Sequence, residues 1–487
     1  MATDVKNILD SFPDYLANIG IEVHVQLTTE SKIYCSCANK ASMSPNTNIC
    51  QVCTGQPGVL PTLNKKVVDY AILAGLATNC SIAERSSFAR KHYFYPDTPK
   101  NFQITQGDDP ICFEGYVPII LEDGSIKKIR LVRIHMEEDA GKSIHMGSTN
   151  ETFVDFNRAG APLLEIVSYP DIANAYEARE YLRMIRLIVQ YLGICSGNME
   201  EGVFRADTNI SVRKKETEEL GTRCELKNIN SFKFIVDAIN YEIERQINQL
   251  GRGERIVQET RLWDTKEHKS IPMRSKEEAS DYRYFQEPDL PYVDVDESWI
   301  AKIREQMPEL PYQKFARLCK EKGLSPYEAN IIVEDVALAQ YTEEAIQHSD
   351  SKNLIKWILR NLLAYLKEQK ISPSACKVTP RKLAAIVDML DKGIINNLAA
   401  QEVFEMVAAT GKDPLVVVKE KGLEQIGSVD ELQKIVQEIM TANPTEVVAY
   451  KAGKTKLIGF FVGQAMQKTK GKGDPKVLQE LFKKDLA

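Results

Sequence analysis

The stretch Arg133 to Lys142, Arg-Ile-His-Met-Glu-Glu-Asp-Ala-Gly-Lys, sets a histidine and three consecutive carboxylates, Glu137, Glu138 and Asp139, ahead of a turn at Ala140-Gly141. Like charges this close raise one another's pKa unless a cation sits among them, which points to metal or phosphate chemistry. The bland alternative is a solvated acidic turn. Residues 20–27, Gly-Ile-Glu-Val-His-Val-Gln-Leu, alternate so that Glu22 and His24 project from one strand face, about 7 Å apart. Such a pair suits metal coordination or general acid–base work. Glu165 is the only charge in the apolar run Pro162 to Val167. A buried carboxylate without a partner is costly, so Glu165 should face a cation or a donor. In the alternating segment Phe204 to Arg213, Arg205, Asp207 and Arg213 share a polar face, and the next strand, Thr222 to Lys227, adds Glu225 and Lys227. This grid of opposite charges can hold an anion, with Arg205 and Arg213 the candidates for a phosphate-bearing cofactor; otherwise it is a salt-bridged exterior.

Cys35-Ser-Cys37 and Cys50-Gln-Val-Cys53, a dozen residues apart, match a zinc knuckle. Four thiolates leave no open position for substrate, so that zinc would be structural; the alternative is four free thiols. Phe88 to Asp97 interleaves aromatics with Arg90, Lys91 and His92, and Lys100 follows. This pattern suits a polar passage or a base-stacking surface, or else a packed loop with snorkelling cations.

The positioning elements are legible from periodicity and caps. A strand spans 129–136, and helices run from Asn64 to about Thr78, from Asn174 to Leu192 with a stop at Gly193, and from Ser231 to Leu250. Pro288 and Pro291 halt regular structure, which places a domain boundary near 295. Beyond it the pattern is helical. The expected class is α+β: an N-terminal part built on antiparallel sheet with helices, followed by an all-helical C-terminal region.

Within 487 residues there is no run of about 18 apolar residues to span a membrane, and the first twenty residues lack a signal core. The profile is cytoplasmic. Ten cysteines are too sparse for a disulfide framework. The net charge of −6 is uneven, with about +7 carried by residues 351–487. No Gly-x-x-x-x-Gly-Lys-[Ser/Thr] loop exists, since Gly141-Lys142-Ser143 and Gly453-Lys454-Thr455 have Met136 and Val448 at the required glycine position. Phosphate handling would have to run through metal and carboxylates.

Taken together, Ile-Gly-Ile-Glu-Val-His-Val-Gln-Leu (19–27), Arg-Lys-His-Tyr-Phe-Tyr-Pro-Asp (90–97), His-Met-Glu-Glu-Asp-Ala-Gly-Lys (135–142), Asn-Arg-Ala-Gly-Ala-Pro-Leu-Leu-Glu-Ile-Val (157–167), Asn-Met-Glu-Glu-Gly (198–202) and Asp-Tyr-Arg-Tyr-Phe (281–285) resemble, in order, the GatB family of aspartyl/glutamyl-tRNA amidotransferase subunits. The end, from Gly453 to Lys472, resembles that family's YqeY-like tail. The resemblance implies a catalytic cradle over 1–295, a helical linker over 296–350 and a tRNA-binding tail over 351–487. It implies ATP-dependent phosphorylation of the side-chain carboxylate of Asp-tRNA(Asn) or Glu-tRNA(Gln), then amidation by ammonia. The ammonia would come from a glutaminase (amidase) partner in a heterotrimer with a small bridging subunit. Carried over residue by residue, Mg²⁺ ligands fall on Glu22, His24, Glu137, Glu138, Glu165 and Asp207, and an ammonia route on Lys91, Tyr93 and Lys100. Adjacent Glu137 and Glu138 would point to opposite strand faces, which hints at more than one metal position. Lys451, Lys454, Lys456, Lys468, Lys470 and Lys472 are the tail's candidates for tRNA phosphates. Two rival readings use the same residues: a metal-dependent RNA phosphodiesterase, and a non-enzymatic tRNA-binding scaffold.

Overall fold

The alternation around His24 becomes the strand Tyr15–Gln26, with Ala17, Ile19, Ile21, Val23 and Val25 all buried on one side. A computed structural model of the chain describes residues 7–40, 44–121, 123–145, 151–275, 282–425, 429–469 and 473–486. It divides into two compact units, Met1–Lys322 and Gly323–Ala487.

In the first unit Tyr15–Gln26 lies near the middle of a twelve-stranded sheet. On one side it pairs with Phe204–Lys214, which leads through Cys224–Ile229 and Glu259–Asp264 to Lys269–Ser275. On the other it pairs with Pro162–Ser168, then Ile126–Glu138, Phe102–Thr105, Ala89–His92 and Phe285–Gln286. These pairings are antiparallel except that of Cys224–Ile229 with Glu259–Asp264, so the sheet is mixed. The exception has a simple cause: the helix Phe232–Gly251 carries the chain back across the sheet, the crossover that a parallel neighbour requires.

Helices Lys65–Ala77, Ala175–Tyr191 and Phe232–Gly251 cover the apolar face of the sheet and share one core with it. Their starts are capped by side-chain oxygens of Asn64, Asn174 and Ser231, which accept from Lys66, Glu177 and Phe234 backbone N–H at 2.9, 2.9 and 3.1 Å. Because the helices take one face, the residues of opposite parity are left to line a cavity. Helices Glu297–Arg304 and Pro311–Lys322 also belong to this unit.

The second unit is helical throughout its described residues. Its last part, from Val429 on, has an apolar cluster of its own around Leu432, Val436, Phe461, Leu478 and Phe482. No described helix is long and apolar enough to cross a membrane.

The short edge strand Phe285–Gln286 is pinned by Arg90, which pairs with Glu287 and, at 3.1 Å, with Asp289. Arg90 donates to both carboxylate oxygens of Glu287 at 2.8 Å each, and Glu287 is 1% exposed. Removing the cation would leave a buried charge unpaired, a loss of about 3 kcal/mol. Arg90→Leu is therefore expected to lower the urea midpoint and to open residues 282–291 to proteases. An unchanged midpoint and cleavage pattern would show the pair to be dispensable.

Candidate active site

Register across four strands builds the site. His24 stands directly opposite Arg205 on one side and Glu165 on the other, and Glu165 in turn stands opposite His135. Glu137, two residues beyond His135, shares its face. His24 Nε2 lies 3.3 Å from Glu165 and 3.5 Å from Glu137, while His135 Nε2 lies 3.1 Å from Glu165. His135 Nδ1 is 2.7 Å from the Gln106 carbonyl oxygen, to which it must donate. With Nδ1 committed as donor and the other ring nitrogen 3.1 Å from Glu165, the setting favours the protonated form of His135.

The electrostatics follow from this packing. Burial works against the charge of His135, but Glu165 raises its pKa all the same. Burial also pushes Glu165 upward, yet the two histidines hold it well below the usual carboxylate range. Glu137 is raised, by burial first and by Glu165 second. His24 is raised to about 9, burial being outweighed by its bond to Glu165 and by the Glu137 charge. The donor atoms of His24, Glu137 and Glu165 lie within 4.8 Å of one another. Two carboxylates and one imidazole nitrogen at that spacing fit a divalent cation, which would compete with the proton on His24.

Glu22 lies opposite Asp207, one row along, and accepts from Asn209 Nδ2 at 3.1 Å. Its pKa is raised by burial, then by Glu165 and Asp207. Asp207 is neutralised by Lys227 at 2.6 Å, and Lys227 also reaches Glu225 at 2.9 Å. Above this floor opens a cavity of about 830 Å³, whose lining includes His24, Glu137 and Asp207, the cations Arg158, Arg205, Lys227 and Lys91, and the aromatics Tyr93, Tyr95 and Tyr282. Arg205 and Arg158 both approach Asp139, at 3.0 and 3.4 Å. Burial acts against the Lys91 ammonium, but Glu137 and Glu165 raise its pKa.

Glu138 does not join this group. It points away from Glu137, where Lys100 pairs with it and the Ile104 N–H donates to it at 2.9 Å. Lys100 and Glu138 line a separate narrow space with Cys53, Thr98 and Ala159. Tyr93 and Gln103 border both spaces and approach each other at 3.4 Å. Lys91, Tyr93 and Lys100 thus run from the cavity to the narrow space behind it. Arg213 lies at the far end of its strand, donating to Asn18 and Thr217, and is not part of the cavity lining. Sequence reasoning met His135 in the acidic stretch and Lys227 in the charge grid without assigning either to the metal or cofactor set, and it missed Arg158; the parity of His135 with Glu137 was there to be read.

The four cysteines come together. Cys53 Sγ lies 3.5, 3.7 and 3.8 Å from the sulfurs of Cys35, Cys50 and Cys37. A tetrahedron with Zn–S bonds of about 2.3 Å has edges of about 3.8 Å, so the set fits zinc. Lys32, 1% exposed, donates to Cys53 Sγ at 3.5 Å and to the Asn48 carbonyl at 3.0 Å, and so supplies positive charge beside the thiolates. In the C-terminal unit Lys451, Lys454 and Lys456 are exposed, Lys468 pairs with Glu438, and Lys470 and Lys472 lie outside the described residues.

Two outcomes follow. Because a cation must displace the His24 proton, Mn²⁺ affinity is expected to rise with pH between 7 and 9, by up to about tenfold per unit. Titration calorimetry in buffers of different ionisation enthalpy would detect the released proton, and pH-independent affinity would contradict this. Purified protein is expected to carry one zinc per chain, with Cys50→Ser losing the metal and melting at lower temperature. Metal-free protein prepared without chelator would show free thiols instead.

Comparison with known proteins bears on this geometry. A family model for the GatB/GatE catalytic domain matches residues 17–301, and one for the GatB domain with its YqeY part matches residues 340–486. GatB subunits of aspartyl/glutamyl-tRNA(Asn/Gln) amidotransferase align with it nearly end to end. The one from Thermodesulfovibrio yellowstonii is 50% identical over 97% of this chain and 99% of its own. That from Carboxydothermus hydrogenoformans is 48% identical over the same shares, and that from Persephonella marina 50% identical over 96% and 99%. With more than half the chain matched by the catalytic-domain model and relatives matched over almost their full length, the chain belongs to the GatB family.

Proposed function

We propose that this chain activates the side-chain carboxylate of Asp-tRNA(Asn) or Glu-tRNA(Gln) by ATP-dependent phosphorylation and then amidates it. The observation that carries this is a wide cavity with a carboxylate–imidazole cluster in its floor and four cations, Lys91, Arg158, Arg205 and Lys227, on its walls. Phosphoryl transfer to a weak nucleophile is mostly positioning and charge neutralisation. Bound at His24, Glu137 and Glu165, Mg²⁺ would supply positive charge against phosphate oxygens as they move from ATP to the carboxylate. Arg158 and Arg205, oriented by Asp139, and Lys227, oriented by Asp207 and Glu225, would hold the triphosphate.

The second half needs a nucleophile better than water and a route that keeps bulk water out. Neutral ammonia attacks the acyl carbon, the bond from that carbon to the phosphate-bearing oxygen breaks, inorganic phosphate leaves, and the surplus proton of the new amide passes to phosphate. The narrow space at Lys100 and Glu138, bordered by Tyr93 and Gln103, supports delivery from behind the cavity. The sequence carries no Gly-x-Ser-x-Gly nucleophile motif of its own, and the relatives are named as one subunit of a larger enzyme. A glutaminase partner with a small bridging subunit fits that division. The exposed lysines 451, 454 and 456 of the tail are proposed to meet tRNA phosphates.

The two adjacent glutamates separate the half-reactions. Glu137→Gln is expected to stop amidation and tRNA-dependent ATP hydrolysis alike, whether glutamine or free ammonium is the nitrogen source. Glu138→Gln breaks the Lys100 pair and is expected to slow glutamine-supported amidation at least tenfold while tRNA-dependent ATP hydrolysis continues. Equal loss of ATP hydrolysis in both variants would place Glu138 in the activation site after all.

A further inference from the structure

Lys100 reaches the narrow space behind the cavity from a turn just ahead of the strand Phe102–Thr105, so regular structure does not fix its long side chain. Neighbours do. Its ammonium pairs with Glu138 and stands 5.5 and 5.7 Å from the ring centres of Phe102 and Tyr34. Its stem lies against Gly55: a Cβ built there would come within 3.2 Å of Lys100 Cα, 3.1 Å of Lys100 Cβ and closer still to Cγ. Two of these neighbours flank the cysteines. Tyr34 directly precedes Cys35, and Gly55 follows Cys53 by two residues.

The knuckle meets the passage at other points too. Cys53 itself lines the narrow space with Lys100, Gln103 and Glu138. The turn from Cys50 to Gly55 is tied by the Thr54 N–H to the Cys50 carbonyl at 3.1 Å and by the Gly55 N–H to the Val52 carbonyl at 3.2 Å. Gly55 adopts a φ of +64°, open to glycine and costly for a side chain. Lys32, which donates to Cys53, and Glu138 flank one glycine: a Cβ at Gly160 would lie 3.5 Å from Lys32 Cδ and 3.9 Å from Glu138 Oε2. The Tyr34 hydroxyl is buried with no hydrogen-bond partner among the described residues, so the contact with Lys100 is made by the ring. The space these groups enclose is about 10 Å³, the lower limit for one water-sized molecule, and a small shift of Lys100 decides whether it is open.

We propose that the four-cysteine knuckle sets the ammonia passage, with Gly55 and Tyr34 as positioning residues that hold the Lys100 stem and ammonium on Glu138. The proposal rests on the reading of the narrow space as the route for ammonia. A knuckle that only stabilised the fold would weaken every step alike when disturbed. A knuckle that sets Lys100 affects nitrogen delivery alone, because His24, Glu137 and Glu165 stand on the other face of the sheet.

The test uses the full chain assembled with its amidase partners. Gly55→Ala pushes on Lys100, whereas Gly58→Ala, at a φ of +88°, brings left-handed strain to the same loop with no atom within 4 Å of the new methyl. Tyr34→Leu removes the ring and Tyr34→Phe keeps it. Gly55→Ala and Tyr34→Leu are expected to retain zinc and to lose about tenfold in glutamine-supported amidation, with ammonium-supported amidation and tRNA-dependent ATP hydrolysis within about twofold of wild type. Trace acetylation mapped by mass spectrometry is expected to find Lys100 several-fold more reactive in both. Gly58→Ala and Tyr34→Phe match wild type throughout. Equal losses with glutamine and ammonium, unchanged glutamine use in Gly55→Ala, or the same loss in Gly58→Ala would each overturn the proposal. Loss of zinc or of a partner subunit from Gly55→Ala, with Tyr34→Leu behaving as wild type, would also overturn it, by making the turn a matter of folding or assembly. Loss of ATP hydrolysis in Glu138→Gln would overturn the reading of the passage first, whatever the knuckle variants do.

Discussion

Glu137 and Glu165 bring carboxylate oxygens within 4.8 Å of the same imidazole nitrogen on a buried sheet face. At an effective dielectric of about 20 two like charges at that separation repel by about 3–4 kcal/mol, so the arrangement holds only with positive charge beside it. The Gln106 carbonyl makes His135 Nδ1 a donor, and Glu165 beside the other ring nitrogen favours a second proton there; His24 reaches both carboxylates. The proton on His24 is one that a divalent ion can displace. The cluster's demand for positive charge is thus met by protons or a divalent ion, while the wall cations Arg158, Arg205 and Lys227 are held by carboxylates of their own, Asp139, Asp207 and Glu225.

The sheet then sorts two tasks by parity. Successive residues of a strand point to opposite faces, so consecutive Glu137 and Glu138 cannot serve one site. Glu137 joins the cluster on the cavity side, and Glu138 pairs with Lys100 on the other. A strand only one residue out of register would exchange the two. The twelve-stranded sheet, with its helices on one face only, is what holds that register firmly enough for the distinction to matter.

Alternation made the faces of Tyr15–Gln26 and Phe204–Lys214 legible, and caps located the helices at Asn64, Asn174 and Ser231 to within a residue or two. Pairing between strands more than a hundred residues apart was not legible, because no local rule selects the partner. For that reason the direct row Arg205, His24, Glu165, His135 emerged only with the fold. Parity also says nothing of distance along a strand: Arg213 shares a face with Arg205 but lies about 26 Å further on.

Central to the proposed function is that the carboxylate of the charged amino acid becomes an acyl phosphate in this cavity. Carrying ¹⁸O in both side-chain carboxylate oxygens of Glu-tRNA(Gln) or Asp-tRNA(Asn), with ATP and ammonium supplied, tests it directly. One ¹⁸O should appear in each inorganic phosphate released and one should remain in the amide. Phosphate free of label, with amide still formed, would show that the carboxylate is never phosphorylated and that the cavity works by other chemistry.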